Sequence, residues 1–269
     1  MKTLANHVIL YDANCPMCNI YTSAFVKTKM LDANGRKPYQ EIPINICPYV
    51  DMKRAVNEIA LVNTETGQVS YGVASIFKIL GNTMPIFKPL FALQPFVCLM
   101  SKVYALVSYN RKVIIPAKAK ANELLPDFKL HYRLIYLLLS WFIAAYILTN
   151  YAKVISPEIP FGNAYREYFI CGGQILFQGL VCLLYRPAKT WDYLGNMMTI
   201  SLAGSFLLLP MLWIGNALHL NTLLYIAYFL LVAGLMFLEH LRRSKILGLG
   251  LILSASWVIY RLGILALIM

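Results

Sequence analysis

Two cysteines, Cys15 and Cys18, are the residues of this sequence best suited to do chemistry. They follow an apolar segment, residues 7–11, that predicts a buried strand, and they begin a segment whose apolar residues recur at helical spacing. A side chain at the start of a helix lies near free backbone N–H groups and the positive end of the helix dipole, which stabilise a thiolate. We therefore expect Cys15 to be a nucleophile.

Cys18 is expected to be the resolving thiol. Because it lies three residues after Cys15, it shares the same face of the helix and can attack a mixed disulfide formed by Cys15. That attack closes a local disulfide and releases the reduced substrate. Pro16 fits the first helical turn, where its missing N–H costs no hydrogen bond.

Two other interpretations of the dithiol stay open. The cysteines could pack as small hydrophobic side chains, or they could bind zinc. A closed zinc site needs four ligands, and the sequence contains no second C-x-x-C pair. Cys47 is expected at the same sheet edge as Cys15, but no fourth ligand is evident, so we predict no metal site. Whether Cys47 joins the dithiol chemistry is an open question.

The elements around the dithiol predict a small α/β domain. The helix is expected to end at Asn34–Gly35, and alternating isoleucines at 42–46 predict a second strand. Pro38 and Pro43 favour a position for this strand at the edge of the sheet. A strand, a helix and a parallel strand form a right-handed unit.

The following segment predicts a hairpin and a helix. Residues 59–62 and 68–71 flank a glycine-containing loop, which favours two antiparallel strands, and a helix is expected at 73–80. This order of elements is that of a thioredoxin-like core. Residues 84–110 are apolar but contain two lysines, and we expect helices that pack on the sheet or lie on a membrane surface, with a re-entrant segment as the alternative.

The composition indicates an integral membrane protein. Of 269 residues, 59% are hydrophobic and 13% are charged, against about 45–50% and about 25% in soluble domains. Residues 1–133 contain 16 of the 24 Lys and Arg residues. The net charge of +12 does not indicate nucleic-acid binding, because the basic residues concentrate beside predicted membrane spans.

Three regions are therefore expected. A thioredoxin-like, cytoplasmic dithiol domain at 1–116 is followed by a basic juxtamembrane linker at 117–133 and an all-α transmembrane bundle at 134–269. About five spans are predicted, at residues 134–152, 168–185, 193–214, 220–238 and 246–268.

The orientation follows from the basic residues of the short loops. With the N-terminus inside, the inner side has eleven Lys and Arg residues, beginning with Arg111, whereas the outer loops have only Lys153 and Arg166. The positive-inside rule therefore predicts a cytoplasmic dithiol domain and a C-terminus on the outer side. No signal peptide is evident, since polar residues interrupt the first apolar stretch.

Arg261 is the one charged residue well inside a predicted span, and it is a candidate intramembrane functional residue. Alternatively, it extends to the outer interface with Tyr260, and Glu167 is a candidate partner. Cys171 and Cys182 are separated by roughly 16 Å along one helix, too far to bridge each other.

The segment Asp12-Ala13-Asn14-Cys15-Pro16-Met17-Cys18 resembles the D-x-x-C-x-x-C signature of the DCC family of predicted thiol-disulfide oxidoreductases. The resemblance covers about residues 5–116. Residues 58–80 resemble that family's strand, Gly turn, strand and helix, and Tyr104 and Asn110-Arg111 resemble its closing Tyr and Asn-Arg segment. Family members usually have Gly at the position of Ala13.

The resemblance implies a thioredoxin-like fold and dithiol exchange by Cys15 and Cys18, with Asp12 as the third signature residue. Asp12 could orient the turn, accept a proton, or only accept backbone N–H bonds. No proline precedes the strand at Ile59, where thioredoxins have a groove-shaping cis-proline, so narrow specificity is expected.

Two functions are consistent with these features. The first is a membrane-tethered thiol-disulfide oxidoreductase that acts on a protein or small-molecule disulfide or thiol, contacts membrane lipids and needs no cofactor beyond its dithiol, although a lipid-soluble electron carrier is conceivable. The second is a transporter or lipid-binding membrane scaffold, in which the dithiol domain is a redox sensor or a vestige.

Overall fold

The computed structural model of the chain describes residues 2–41, 50–118, 126–156, 158–218 and 220–268. The chain divides into two compact units, Met1–Tyr132 and Arg133–Met269. The dithiol lies in the first unit, and most of the long apolar helices lie in the second.

The first unit contains one mixed sheet among its described residues. Its elements are β1 (His7–Tyr11), α1 (Pro16–Lys27), β2 (Arg36–Pro38), α2 (Met52–Asn57), β3 (Ala60–Asn63), β4 (Val69–Tyr71), α3 (Val73–Thr83), α4 (Lys88–Ala92) and α5 (Gln94–Ile114). The strand order is β2-β1-β3-β4. Strands β1 and β2 are parallel, whereas β3 is antiparallel to both of its neighbours.

Side chains alternate between two hydrophobic cores, one on each face of the sheet. Ile9 and Leu61 pack on one face with residues of α1, α3 and α5. Leu10, Ala60 and Val62 pack on the other face with residues of α2. Helices therefore cover both faces of the sheet.

The predicted hairpin and the helix after it are confirmed, since β3 and β4 pair in antiparallel register and α3 follows. The parallel neighbour of β1 in the structure is a strand that the sequence pattern did not predict. The structure places β2 at Arg36–Pro38, at the sheet edge, where Ile9 is paired with Arg36. Residues 42–46 of the predicted strand lie outside the described residues.

The predicted end of α1 is also wrong. The helix ends at Lys27, because Lys29 adopts a left-handed conformation with φ 58° that a helix cannot continue through. Asn34–Gly35 instead lies in the turn before β2, where the Gly35 carbonyl accepts the Ile9 N–H at 2.9 Å.

Among the described residues, four helices are long and apolar enough to cross a membrane: Leu130–Val154, Arg166–Tyr185, Pro187–Gly215 and Thr222–Ile246. We number the helices of this region α6 (Leu130–Val154), α7 (Arg166–Tyr185), α8 (Thr190–Leu218), α9 (Thr222–Ile246) and α10 (Ile252–Ile268). These positions agree with four of the predicted spans.

The predicted fifth span, 246–268, begins too early. Helix α9 continues to Ile246, and Gly248 and Gly250, with φ of 70° and 63°, separate it from α10. Positive φ is accessible to glycine and interrupts the helix here. As a result α10 has only 17 residues and is shorter than the other four.

Candidate active site

The dithiol lies at the junction between β1 and α1. Cys15 is the N-cap residue of α1, in an extended conformation, and Pro16 is the first helical residue. The Cys15 Sγ accepts a hydrogen bond from the Cys18 backbone N–H at 3.2 Å. Both cysteines are free thiols, and they are only 4% and 3% exposed. The cap that serines and aspartates usually provide is therefore made by a sulfur.

The two thiols differ in acidity. A hydrogen bond from the Cys18 thiol is the largest of the effects that lower the pKa of Cys15 to about 7, although burial opposes it. The Cys18 backbone N–H and the positive charge of Arg111 also lower this pKa. The pKa of Cys18 is raised, because its thiol donates to Cys15 and because it is buried. Cys15 is thus the more acidic thiol and the better nucleophile near neutral pH.

Asp12 organises the turn between β1 and the dithiol. Its Oδ1 accepts hydrogen bonds from the Asn14 backbone N–H at 3.0 Å and from the Gln40 Nε2 at 2.6 Å. Its backbone carbonyl accepts the Cys15 N–H at 3.1 Å. The remaining carboxylate oxygen, Oδ2, lies 3.4 Å from a guanidinium nitrogen of Arg111. Both oxygens of this buried carboxylate therefore have partners.

Arg111 comes from α5 and is 4% exposed. Besides Asp12, its guanidinium donates to the Val56 carbonyl at 2.8 Å, to the Asn57 carbonyl at 3.4 Å and to the Ser108 hydroxyl at 3.4 Å. Burial alone would lower the pKa of Arg111, but the two thiols and Asp12 outweigh it and raise this pKa. The site therefore contains a permanent buried cation.

The segment before β3 is fixed by α5. The Tyr104 hydroxyl accepts the Ile59 backbone N–H at 3.0 Å. The Ser108 hydroxyl donates to the Asn57 carbonyl at 2.6 Å. Because Arg111 binds both this segment and Asp12, it joins the start of β3 to the turn that carries the dithiol.

Gln40 and Arg111 are the site residues that sequence reasoning missed. Arg111 was counted among the basic residues that predict the orientation of the helices, and the structure shows its side chain buried in the first unit. The resemblance of Asn110-Arg111 to a family's closing segment was the signal that could have identified Arg111.

The structure brings Cys15, Cys18, Asp12 and Pro16 together at one turn. Cys47 lies outside the described residues. No group of three or more His, Cys, Asp or Glu side chains that could hold a metal ion occurs in the part of the chain that the structure describes.

Arg261 belongs to the second unit, where its guanidinium carbon lies 5.7 Å from the ring centroid of Trp257. The expected partner, Glu167, forms its ion pair with the adjacent Arg166 at 2.8 Å. Cys171 and Cys182 are buried in α7.

Comparisons of the chain with known protein families, with curated protein sequences and with solved structures find no match. The resemblance of the dithiol segment to the DCC family therefore stays a prediction.

Proposed function

We propose that the chain is a membrane-tethered thiol-disulfide oxidoreductase in which Cys15 attacks and Cys18 resolves. The observation that carries this proposal is the hydrogen-bonded pair at the start of α1, in which the Cys18 backbone N–H donates to the Cys15 Sγ. A nucleophile with a pKa of about 7, next to a thiol whose pKa is raised, is what sequential dithiol exchange requires.

The reaction proceeds in two exchanges. The Cys15 thiolate attacks one sulfur of the substrate disulfide, the substrate S–S bond breaks, and the departing sulfur takes a proton from solvent. The Cys18 sulfur then loses its proton to solvent and attacks the Cys15 Sγ, which breaks the mixed disulfide and releases the second substrate sulfur as a thiol. Two electrons pass from the dithiol to the substrate, and a thiol donor must restore the dithiol afterwards.

Arg111 and Asp12 are positioning residues in this scheme. The guanidinium favours negative charge on Cys15, and Asp12 holds both the guanidinium and the turn in place. Because Asp12 already accepts hydrogen bonds at both oxygens, we assign it the orientation of the turn and leave proton exchange to solvent.

A thioredoxin-like fold of the first unit is part of the proposal. It is supported by the strand order β2-β1-β3-β4, by the opposite direction of β3, and by helices on both faces. The resemblance of the dithiol segment to the DCC family adds to this support. The Ile59 N–H is already bound by Tyr104, so it is not offered to an extended substrate peptide, and we propose a narrow substrate range.

The membrane tether is supported by the four long apolar helices. The excess of basic residues on one side of these helices favours a cytoplasmic location for the dithiol unit.

The test is disulfide reduction by the purified full chain in lipid nanodiscs, with oxidised glutathione and a small aromatic disulfide as probes. We expect Cys15→Ser to abolish reduction and Cys18→Ser to stop at a mixed disulfide. Cys98→Ser is the matched control, because Cys98 is exposed but lies outside the dithiol. Full activity of folded Cys15→Ser and Cys18→Ser variants would contradict the proposal.

A further inference from the structure

One surface of the first unit exposes several large apolar side chains. Helices α4 and α5 meet at a bend of 90°, and we call the surface formed by residues 85–107 the elbow. Ile86 is 82% exposed, Leu93 is 53% exposed and Leu99 is 59% exposed. Phe87, Leu90, Val103 and Val107 extend the same exposed apolar set. Large apolar side chains exposed in such number along one segment are typical of an interaction site.

The elbow has the character of an interfacial rather than a membrane-crossing segment. One face of α5 packs inside the first unit. Its contacts there are made with the backbone of residues 56–59 by Tyr104, Ser108 and Arg111. Leu99 and Val103 lie on another face, which is exposed. A helix whose apolar face is free of protein contacts is suited to lie in the plane of a bilayer surface with that face in the interface.

The charges around the elbow identify the kind of bilayer. Residues 73–118 contain no Asp or Glu and six Lys and Arg residues, of which Arg111 is buried and paired with Asp12. Lys88 and Lys102, both exposed, belong to the elbow itself. Basic residues that flank an apolar interfacial surface are attracted to anionic lipids. The same surface would repel a basic partner.

A hollow of about 450 Å³ lies between α3 and α4. Its walls include the rings of Phe77 and Phe91, which stack at 4.4 Å between centroids, and the side chains of Lys78 and Lys88. Two lysines and an aromatic wall suit the phosphate and the glycerol of a phospholipid headgroup.

We propose that the elbow docks on the surface of a bilayer and that the hollow takes the headgroup of an anionic phospholipid. The apolar side chains enter the interface, and Lys78 and Lys88 bind the phosphate. This inference concerns lipid contact alone and does not depend on the redox chemistry of the dithiol.

The first experiment measures lipid contact in the full chain reconstituted in nanodiscs. Leu93→p-benzoylphenylalanine is irradiated, and lipid adducts are counted by mass spectrometry. The matched control is Ile20→p-benzoylphenylalanine, because Ile20 is also a large exposed apolar residue, 63% exposed, on α1. We expect adducts with phospholipid at position 93 in large excess over position 20. Equal yields at the two positions, or adducts with another copy of the chain, would overturn the proposal.

The second experiment tests the headgroup. Nanodiscs are made with phosphatidylcholine alone or with added phosphatidylglycerol, and the Leu93 probe is combined with Lys78→Gln and Lys88→Gln. We expect the preference for phosphatidylglycerol adducts to fall about fivefold for each lysine that is replaced. Lys27→Gln, an exposed lysine on α1, should leave the preference unchanged. An unchanged preference in the double variant would overturn the headgroup assignment.

Discussion

The guanidinium of Arg111 lies 3.4 Å from the carboxylate of Asp12, although 99 residues separate them in the sequence. The two side chains are 5% and 1% exposed, so the pair is withdrawn from water. A buried pair of this kind is sensitive to the loss of either partner, because the charge left behind has no counter-ion. It also places a fixed positive charge where it acts on Cys15.

Replacing the cation should make Cys15 less acidic. The Arg111→Gln variant lacks the positive charge that stabilises the Cys15 thiolate. The pKa of Cys15, about 7 in the unmodified chain, should therefore rise by about one pH unit. The rate of alkylation by iodoacetamide, measured against pH, reports this pKa, and its midpoint should move upward. Lys102→Gln, on the same helix but exposed, is the control. An unmoved midpoint in folded Arg111→Gln would exclude the electrostatic effect.

Replacing the anion should shift the same midpoint in the opposite direction. The negative charge of Asp12 raises the pKa of Cys15, so Asp12→Asn should lower that pKa. The variant should also lose about 3–5 kcal/mol of stability, because the buried Arg111 cation loses the carboxylate with which it is paired. Thermal unfolding in nanodiscs measures the second effect. Asp32→Asn, an exposed carboxylate, should change neither quantity, and equal behaviour of the two variants would refute the prediction.

The Cys18 thiol should control both acidity and resolution. Cys18→Ala removes the side-chain donor that lowers the pKa of Cys15 most, so the alkylation midpoint should rise. Cys18→Ser keeps a hydroxyl donor and should show a smaller rise. Both variants should accumulate a mixed disulfide that is detectable by mass spectrometry, since the resolving sulfur is absent. Release of this adduct at the rate of the unmodified chain would show that another thiol resolves it.

Disulfide reduction should depend on pH through Cys15. Below about pH 7 the Cys15 sulfur is protonated and a poor nucleophile, whereas above it the thiolate predominates. Initial rates should therefore rise as the pH increases from below 6 to above 8 and then level off. A rate that is constant across this range would mean that Cys15 deprotonation does not limit the reaction.

Local patterns were enough to predict the dithiol turn, the hairpin and α3, because each is formed by residues close together in the sequence. Gln40 and Arg111 reach Asp12 from 28 and 99 residues away, and no local pattern carries such contacts. Strand β2 was not predicted because Arg36, Lys37 and Pro38 show no apolar alternation, and only the pairing with β1 defines this strand.

The short helix α2 and the late start of α10 escaped prediction for other reasons. Helix α2 has six residues and is capped by Asp51, whose carboxylate accepts the Arg54 N–H at 3.0 Å, a signal too brief to show periodicity. The residues after 246 are mostly apolar and read as one continuous span. A hydropathy pattern does not show that Gly248 and Gly250 adopt positive φ and interrupt the helix.

Helix α5 directs Arg111 toward the dithiol turn and Leu99 toward the exposed surface of the elbow. The angle between these two faces depends on the number of residues between Leu99 and Arg111. Each residue turns an α-helix by about 100°, so a single insertion between Leu99 and Arg111 would rotate one of the two faces away from its target. An insertion of seven residues, about two full turns, would restore the phase but lengthen the helix by about 10 Å. The stretch between these two residues is therefore expected to tolerate substitution far better than any change in its length.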